Sequence, residues 1–283
     1  MSPQVRLLAK DLTLTLGHRL AVGLYMLFAL FPLFWLIKIS VTPDRLLFIE
    51  GIRLWPSEMT WANFSFVLLR SDFPAFFTNS VIVSLGTAIA VTLVAAAAGY
   101  AFSRFRFPGK YAVVFLLLLT QMFPLVMLIA PIYRLMAPLG LTDNLTGLIV
   151  VYTAFNVPFA AFLMQSFFDG IPTDLEEAAM IDGCTRLSAL RRVIFPLTLP
   201  GMAATLGFVF TAAWSELLFA LMLINSEEAM TFAVGLLTFV SKFSVDWGQM
   251  MAAGVLALIP ACIFFAFIQR YLVQGLTAGA LKG

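Results

Sequence analysis

Residues 176–200 read EEAAMIDGCTRLSALRRVIFPLTLP, a charged, helix-patterned stretch between two apolar ones. Just upstream, Thr173-Asp174-Leu175-Glu176 has the form of a capping box, in which the Thr hydroxyl takes a free amide at the helix start and the Glu reaches back. Leu175, Ala178 and Ala179 line one face, and Gly183 supplies the left-handed residue that ends the turn. Thr185 is placed to cap a second short helix with Leu187, Leu190 and Ile194 on one side, and Pro196 starts the next segment. The result is a helix–Gly–helix unit, too polar for lipid and too well capped for a slack linker. Its chemistry is docking: Glu177 offers a carboxylate to a basic partner, while Ala178, Ala179 and Gly183 permit close approach. The plainer reading of Glu177 is a solvated carboxylate favoured by the helix dipole.

A second set of residues carries polar chemistry inside apolar stretches: Gln121, Tyr152, Asn156, Trp214, Ser215 and Glu216. An ionisable side chain in such a stretch is costly, which makes Glu216 a functional candidate. Catalytic pairs are absent. The single His18 stands alone, Cys184 has no nearby His, and no metal-ligating cluster is spaced for an ion. There is also no Gly-rich Lys-Ser/Thr loop, hence no nest or point charge to hold a nucleotide. Any energy input must come from elsewhere.

The elements that must position these residues are membrane helices. Hydrophobic residues make up 61% of the chain, charged residues only 11%, and mean hydropathy is +0.98. A soluble protein of 283 residues would have too little charge to cover its surface. Six apolar stretches near 19–39, 76–101, 111–136, 144–168, 197–224 and 248–270 are long enough to cross a ~30 Å hydrocarbon core. The first is too long for a signal-peptide core and lacks a small-residue cleavage site, so it is read as retained. Pro124, Pro131, Pro158 and Pro260 fall inside spans and are read as kinks. With both termini inside, eleven Lys and Arg face the cytoplasm against six outside, which puts the 173–196 loop inside. The organisation is then a cytoplasmic N-terminal segment over 1–18 and one transmembrane domain over 19–283. The net charge of +2 argues for neither nucleic acid nor an acidic partner, and two cysteines, Cys184 in the charged loop and Cys262 deep in the last apolar stretch, do not make a disulfide framework. Residues 41–75 form an outer segment whose Trp55 and Trp61 suit either an interfacial cap or a partner contact.

Glu177-Ala178-Ala179, Asp182-Gly183, Pro196 and Pro200-Gly201 together resemble the EAA loop of ABC-importer permeases. Departures are mild: Cys184 stands where Ala is usual, Leu190 for Phe, Val193 for Ile and Phe195 for Leu. The likeness extends to Gly99-Tyr100-Ala101-Phe102, Arg104 through Gly109, Gly140 through Asp143, Phe167 through Pro172, Trp214 through Leu221 and the tail from Gln274 to Gly283. Together these are similar to the six-span second permease of maltose-type carbohydrate importers. The resemblance implies an all-α type I permease in a bacterial inner membrane, with both termini cytoplasmic and the 173–196 loop as coupling element. It implies a homologous second permease, two ATPase subunits that bind ATP and Mg, and an extracytoplasmic sugar-binding protein. In this chain Glu176, Glu177, Ala178, Ala179, Asp182, Gly183 and Pro196 would couple to the ATPase. Gln121, Tyr152, Asn156, Trp214, Ser215 and Glu216 would face the sugar path, or else serve gating and packing. In the maltose type the partner permease carries most sugar contacts.

Two other classes compete. A secondary active transporter would show discontinuous spans, intramembrane carboxylates and symmetric halves. Glu216 is the single acidic residue placed within a span, and no symmetric halves are visible. A membrane-embedded enzyme would need a catalytic constellation that the sequence lacks.

Overall fold

The computed structural model describes the backbone over residues 3–280 and side chains over residues 15–269 and 271; Arg6, Lys10, the tail side chains from Gln274 and Lys282 lie outside that description. Among the described residues the chain is helical, with one isolated antiparallel bridge between Val240 and Val245. The helices run α1 (Pro3–Ser40), α2 (Asp44–Leu47), α3 (Ala62–Leu69), α4 (Phe73–Arg104), α5 (Lys110–Thr120), α6 (Leu125–Met136) and α7 (Leu145–Asp169). Then come α8 (Asp174–Ile181), α9 (Arg186–Ala189), α10 (Phe195–Trp214), α11 (Leu218–Leu223), α12 (Phe232–Gly235) and α13 (Trp247–Ala280). Among the described residues five stretches are long and apolar enough to span: Thr15–Ser40, Phe73–Arg104, Leu145–Asp169, Arg186–Trp214 and Trp247–Gln269. α5 and the Leu125–Leu139 segment pass the same test only as a pair, bent by 103°.

Two sequence expectations are corrected here. The span read at 111–136 is broken, because Pro124 stands at the start of α6 in extended backbone (ψ 124°) and ends one helix before the next begins. A proline disfavours helical backbone in its predecessor, so α5 does not continue into α6. The span read at 197–224 begins earlier, at Arg186, and stops at Trp214. Pro196 does stand in the first turn of α10, into which the helix runs without a break from Arg186. It follows a π-turn over Leu190–Ile194 that joins α9 to α10, an adjustment suited to a residue lacking the amide that a regular helix requires.

Chain contacts group the protein into two compact units. In the unit comprising residues 1–71 and 239–256, the segment after Ser40 caps α1. Asn63 on α3 donates its amide to the Ser40 and Thr42 carbonyls at 3.0 and 3.3 Å, taking up acceptors that a helix end leaves free. Thr42 Oγ1 adds a 2.6 Å bond to the Lys38 carbonyl. Trp55 and Trp61 stay exposed.

The unit comprising residues 72–238 and 257–283 is built on α4 against α7 and α10. Small residues let the backbones meet. Ala88, Ala95, Ala160 and Ala161 are fully buried, and a Cβ at Gly99 would lie 2.7 Å from the Gln165 backbone nitrogen. Gly201 meets the Phe167 ring and Gly207 meets Ile268 in the same way. Asn144 caps α7, its side chain accepting from the Gly147 amide at 2.8 Å.

Candidate functional site

The 173–196 loop is held by one buried carboxylate. Glu176 is 4% exposed; its Oε1 accepts a 2.6 Å hydrogen bond from the Tyr100 hydroxyl and lies 3.5 Å from Arg186 Nε. Its Oε2 pairs with Arg104 Nε at 3.5 Å. Arg104 donates onward to the Ile171 carbonyl at 2.7 Å, and Ser103 to Asp169 at 2.6 Å. Tyr100 packs edge-on against Phe105 and Phe168, and the Arg186 guanidinium covers the Phe105 ring at 5.2 Å. One clasp thus joins the ends of α4 and α7 to α8 and α9.

This corrects the capping-box reading. Thr173 has helical backbone (φ −62°, ψ −29°) and its hydroxyl makes no cap bond, while Glu176 turns away to α4. A capping side chain works from extended backbone, so the Thr is out of position. The other local signals stand as geometry. Gly183 has φ +92°, and Thr185, extended at ψ 158°, accepts from the Ser188 amide at 3.3 Å. Glu176 and Ala179 are buried and cannot themselves touch a docking partner; Leu187 points outward, 58% exposed, unlike Ile194, which is buried. The outer surface presents Glu177, Ala178, Asp182, Gly183 and Pro196, with Ile181 86% exposed.

The clasp partners Tyr100, Arg104 and Arg186 were not marked by sequence reasoning as functional. One signal was available. Tyr100 and Arg104 are four apart, so they share a helix face at the polar end of an otherwise apolar segment.

The second site lies where two helices break. A cavity of about 370 Å³ is lined by Gln121, Tyr152, Asn156 and Glu216 together with phenylalanines. Gln121 sits in the gap between α5 and α6 and donates to the Phe155 carbonyl at 3.2 Å. Asn156 donates to the Tyr152 carbonyl at 2.8 Å. Glu216 lies in the gap between α10 and α11, where its Oε1 accepts from the Leu218 and Phe219 amides at 2.8 and 3.1 Å. Its Oε2 accepts from the Phe219 and Ala220 amides at 3.2 and 3.3 Å and from the Tyr152 hydroxyl at 2.6 Å. The carboxylate is thus compensated by the first amides of α11. Phe155 stacks on Phe219 with centroids 4.9 Å apart.

Two of the six candidates lie elsewhere. Trp214 is buried among Phe77, Phe210 and Phe232, and its indole donates to the Ala257 carbonyl at 3.2 Å. Ser215 bonds back to the Thr211 carbonyl at 3.0 Å, a local helix-end contact.

Residues 92–278, which include both the clasp and the cleft, match the family described as binding-protein-dependent transport system inner membrane component. The chain belongs to this family. As a permease it is 36% identical over 258 residues to the trehalose transport system permease protein SugB of Mycobacterium tuberculosis, covering 90% of this chain and 93% of that one. It is 35% identical over 257 residues to the trehalose/maltose transport system permease protein MalG of Thermococcus litoralis, covering 90% and 92%. In fold the permease is similar to a chain of a bacterial ABC transporter involved in import of the acidic polysaccharide alginate, with a TM-score of 0.78 at 23% identity over 93% of this chain and 97% of that one. Membership places the permease among multi-pass inner-membrane transport subunits, not enzymes, and favours it over a self-sufficient secondary transporter.

Proposed function

We propose that this permease forms half of the translocation path of an importer for a sugar or glycoside, and that its 173–196 loop receives the force of ATP hydrolysis in a separate subunit. The reading includes a homologous second permease, two ATPase subunits that bind ATP and Mg, an extracytoplasmic sugar-binding protein, and a topology with both termini cytoplasmic. The sugar comes from the relatives' substrates, since SugB and MalG are named for trehalose and maltose. The observation that carries the coupling role is the Glu176 clasp, because it ties the loop to α4 and α7 while α9 continues through the π-turn into α10. A push on the exposed Glu177, Ala178 and Asp182 surface is then delivered to three long helices as a body, in the manner of hinge and shear motions.

The test is a reconstituted importer with binding-protein-stimulated ATP hydrolysis and sugar uptake as readouts. Gly183→Val should uncouple the two while the complex still co-purifies. Nothing lies within 4 Å of a Cβ at Gly183, so its penalty is confined to the backbone, where φ +92° costs a non-glycine residue about 1–3 kcal/mol. Glu177→Lys should weaken ATPase attachment, and a compensating acidic change in the ATPase should partly restore it. Wild-type transport by both variants would defeat the coupling reading. Labelling of Arg186 from the outer face alone would reverse the topology.

A further inference from the structure

Two helix breaks open onto one cavity. The turn after Thr120 separates α5 from a segment bent 103° away, and the turn after Trp214 separates α10 from α11. Broken helices at membrane depth are tolerated where they line a cavity, and such half-helix ends form substrate sites in other transporters. Both gaps here contribute a polar side chain, Gln121 and Glu216, to the same 370 Å³ space, and α7 contributes Tyr152 and Asn156 from the facing side.

We infer that this cleft is a binding site for a neutral pyranoside within the permease itself. The inference rests on the sugar reading proposed above and goes beyond it, since the family resemblance assigns most sugar contacts to the partner permease. The hydrogen-bond inventory selects the chemistry. The Glu216 oxygens are already engaged by three backbone amides and the Tyr152 hydroxyl, so the carboxylate shapes the wall and is not left to seek a cation. Gln121 and Asn156 each commit an amide hydrogen to a backbone carbonyl, which leaves their side-chain oxygens as acceptors for hydroxyl groups. Phe155, Phe159, Phe208 and Phe219 supply apolar faces suited to the C–H side of a sugar ring. Among the described residues no Lys or Arg lines the cleft to offset the charge of a sulfonated or carboxylated sugar. The volume falls at the small end of the ~300–1,000 Å³ typical of ligand pockets, which fits one or two rings.

The experiment uses the assembled importer in proteoliposomes, with trehalose, maltose, diacetylchitobiose and the anionic sulfoquinovosyl glycerol as probes. Gln121→Leu and Asn156→Leu remove an acceptor at similar volume. Each should lower uptake of the transported neutral sugar at least tenfold while the importer still assembles and co-purifies as a complex. In a background with Cys184 and Cys262 replaced by Ser, Ala212→Cys should be labelled from the aqueous side and protected by that sugar. Uptake within twofold of wild type in both Leu variants overturns the site, as does labelling at residue 212 that sugar never slows. Preference of the wild-type importer for sulfoquinovosyl glycerol overturns the chemistry assigned to the cleft. Uptake of none of the four by wild type is a different failure: it removes the sugar reading, and the cleft's role falls with it.

Discussion

The loop and the cleft each turn on a glutamate that accepts a tyrosine hydroxyl at 2.6 Å: Tyr100 to Glu176, and Tyr152 to Glu216. The two carboxylates are otherwise neutralised by different means. Glu176 stands between two guanidinium groups, from Arg104 and Arg186, at 3.5 Å each. Among the described residues no cation pairs with Glu216, which rests on the first three free amides of α11. At the end of a span, arginines can reach the site while their stems remain near water. Glu216 stands between two helices, where the start of α11 supplies positive potential without a cation. The difference assigns different work to the two sites. An ion-paired clasp joins separate elements, whereas an amide-held carboxylate fixes the end of one helix and leaves its surroundings open as a cavity.

Removing Glu176 should have the largest effect. Glu176→Ala leaves Tyr100 and Arg104 buried with uncompensated polar groups, and breaking a buried pair in this way costs about 3–5 kcal/mol. The measurement is thermal unfolding of the purified complex together with sugar-coupled ATP hydrolysis. Glu176→Gln retains the acceptor for Tyr100 but not the charge, and should recover less than half of the loss. Full recovery by Gln would mean that the guanidinium pairs contribute little and that the two glutamates are equivalent.

Glu216 should respond in the opposite way to the same pair of substitutions. Glu216→Ala removes the helix cap and strands the Tyr152 hydroxyl, a loss of about 1–3 kcal/mol. Because the partners are amides and a hydroxyl, with no cation, one carbonyl oxygen can serve them. Glu216→Gln should therefore recover more than half, read by the same thermal unfolding. Failure of Gln at residue 216 would show that the negative charge matters there as it does at residue 176, and the contrast would dissolve.

The sequence made the two sites unequally legible. Apolar length located the helices, and Gly183 and Thr185 signalled their own local geometry, since a left-handed turn and a cap depend on neighbours two or three residues away. The clasp was hidden because Tyr100 lies 76 residues before Glu176, so the Thr173–Glu176 pattern suggested a local bond that tertiary contact outcompeted. The cleft was half legible: Gln121, Tyr152, Asn156 and Glu216 stood out as polar groups in apolar stretches, and all four line it. Trp214 and Ser215 share with Glu216 the polar and aromatic chemistry a sugar needs, but the helix end at Trp214 turns the three side chains to different surroundings. Pro124 was read as a kink because hydropathy continues across it, and hydropathy does not register the broken backbone.

A third carboxylate extends the comparison to a site that water reaches. Asp143, between α6 and α7, is exposed and has φ 56°. Its Oδ1 accepts from the Ser226 and Asn225 amides at 2.8 and 2.9 Å and from the Ser226 hydroxyl at 2.9 Å. The Ser226 amide, then the Asn225 amide and the Ser226 hydroxyl, hold its carboxyl below the usual aspartate range. Because the folded value is depressed, its contribution is fully present above the ordinary aspartate value of about 3.9 and is lost as pH falls through the lower folded value. Like Glu216 it relies on amides, but solvent offers both states good alternatives, so its effect should be the smallest of the three. Asp143→Asn should be nearly silent at neutral pH: the side-chain oxygen still meets the same amides, and Asn accepts positive φ readily. A carboxyl-carbon NMR titration, with the Asn variant identifying the signal, should place the Asp143 midpoint below that of an unperturbed aspartate. A midpoint at or above the ordinary value would mean that the Asn225–Ser226 turn does not hold the carboxylate in solution. The gradient from guanidinium clasp to helix cap to solvated turn would then end at Glu216.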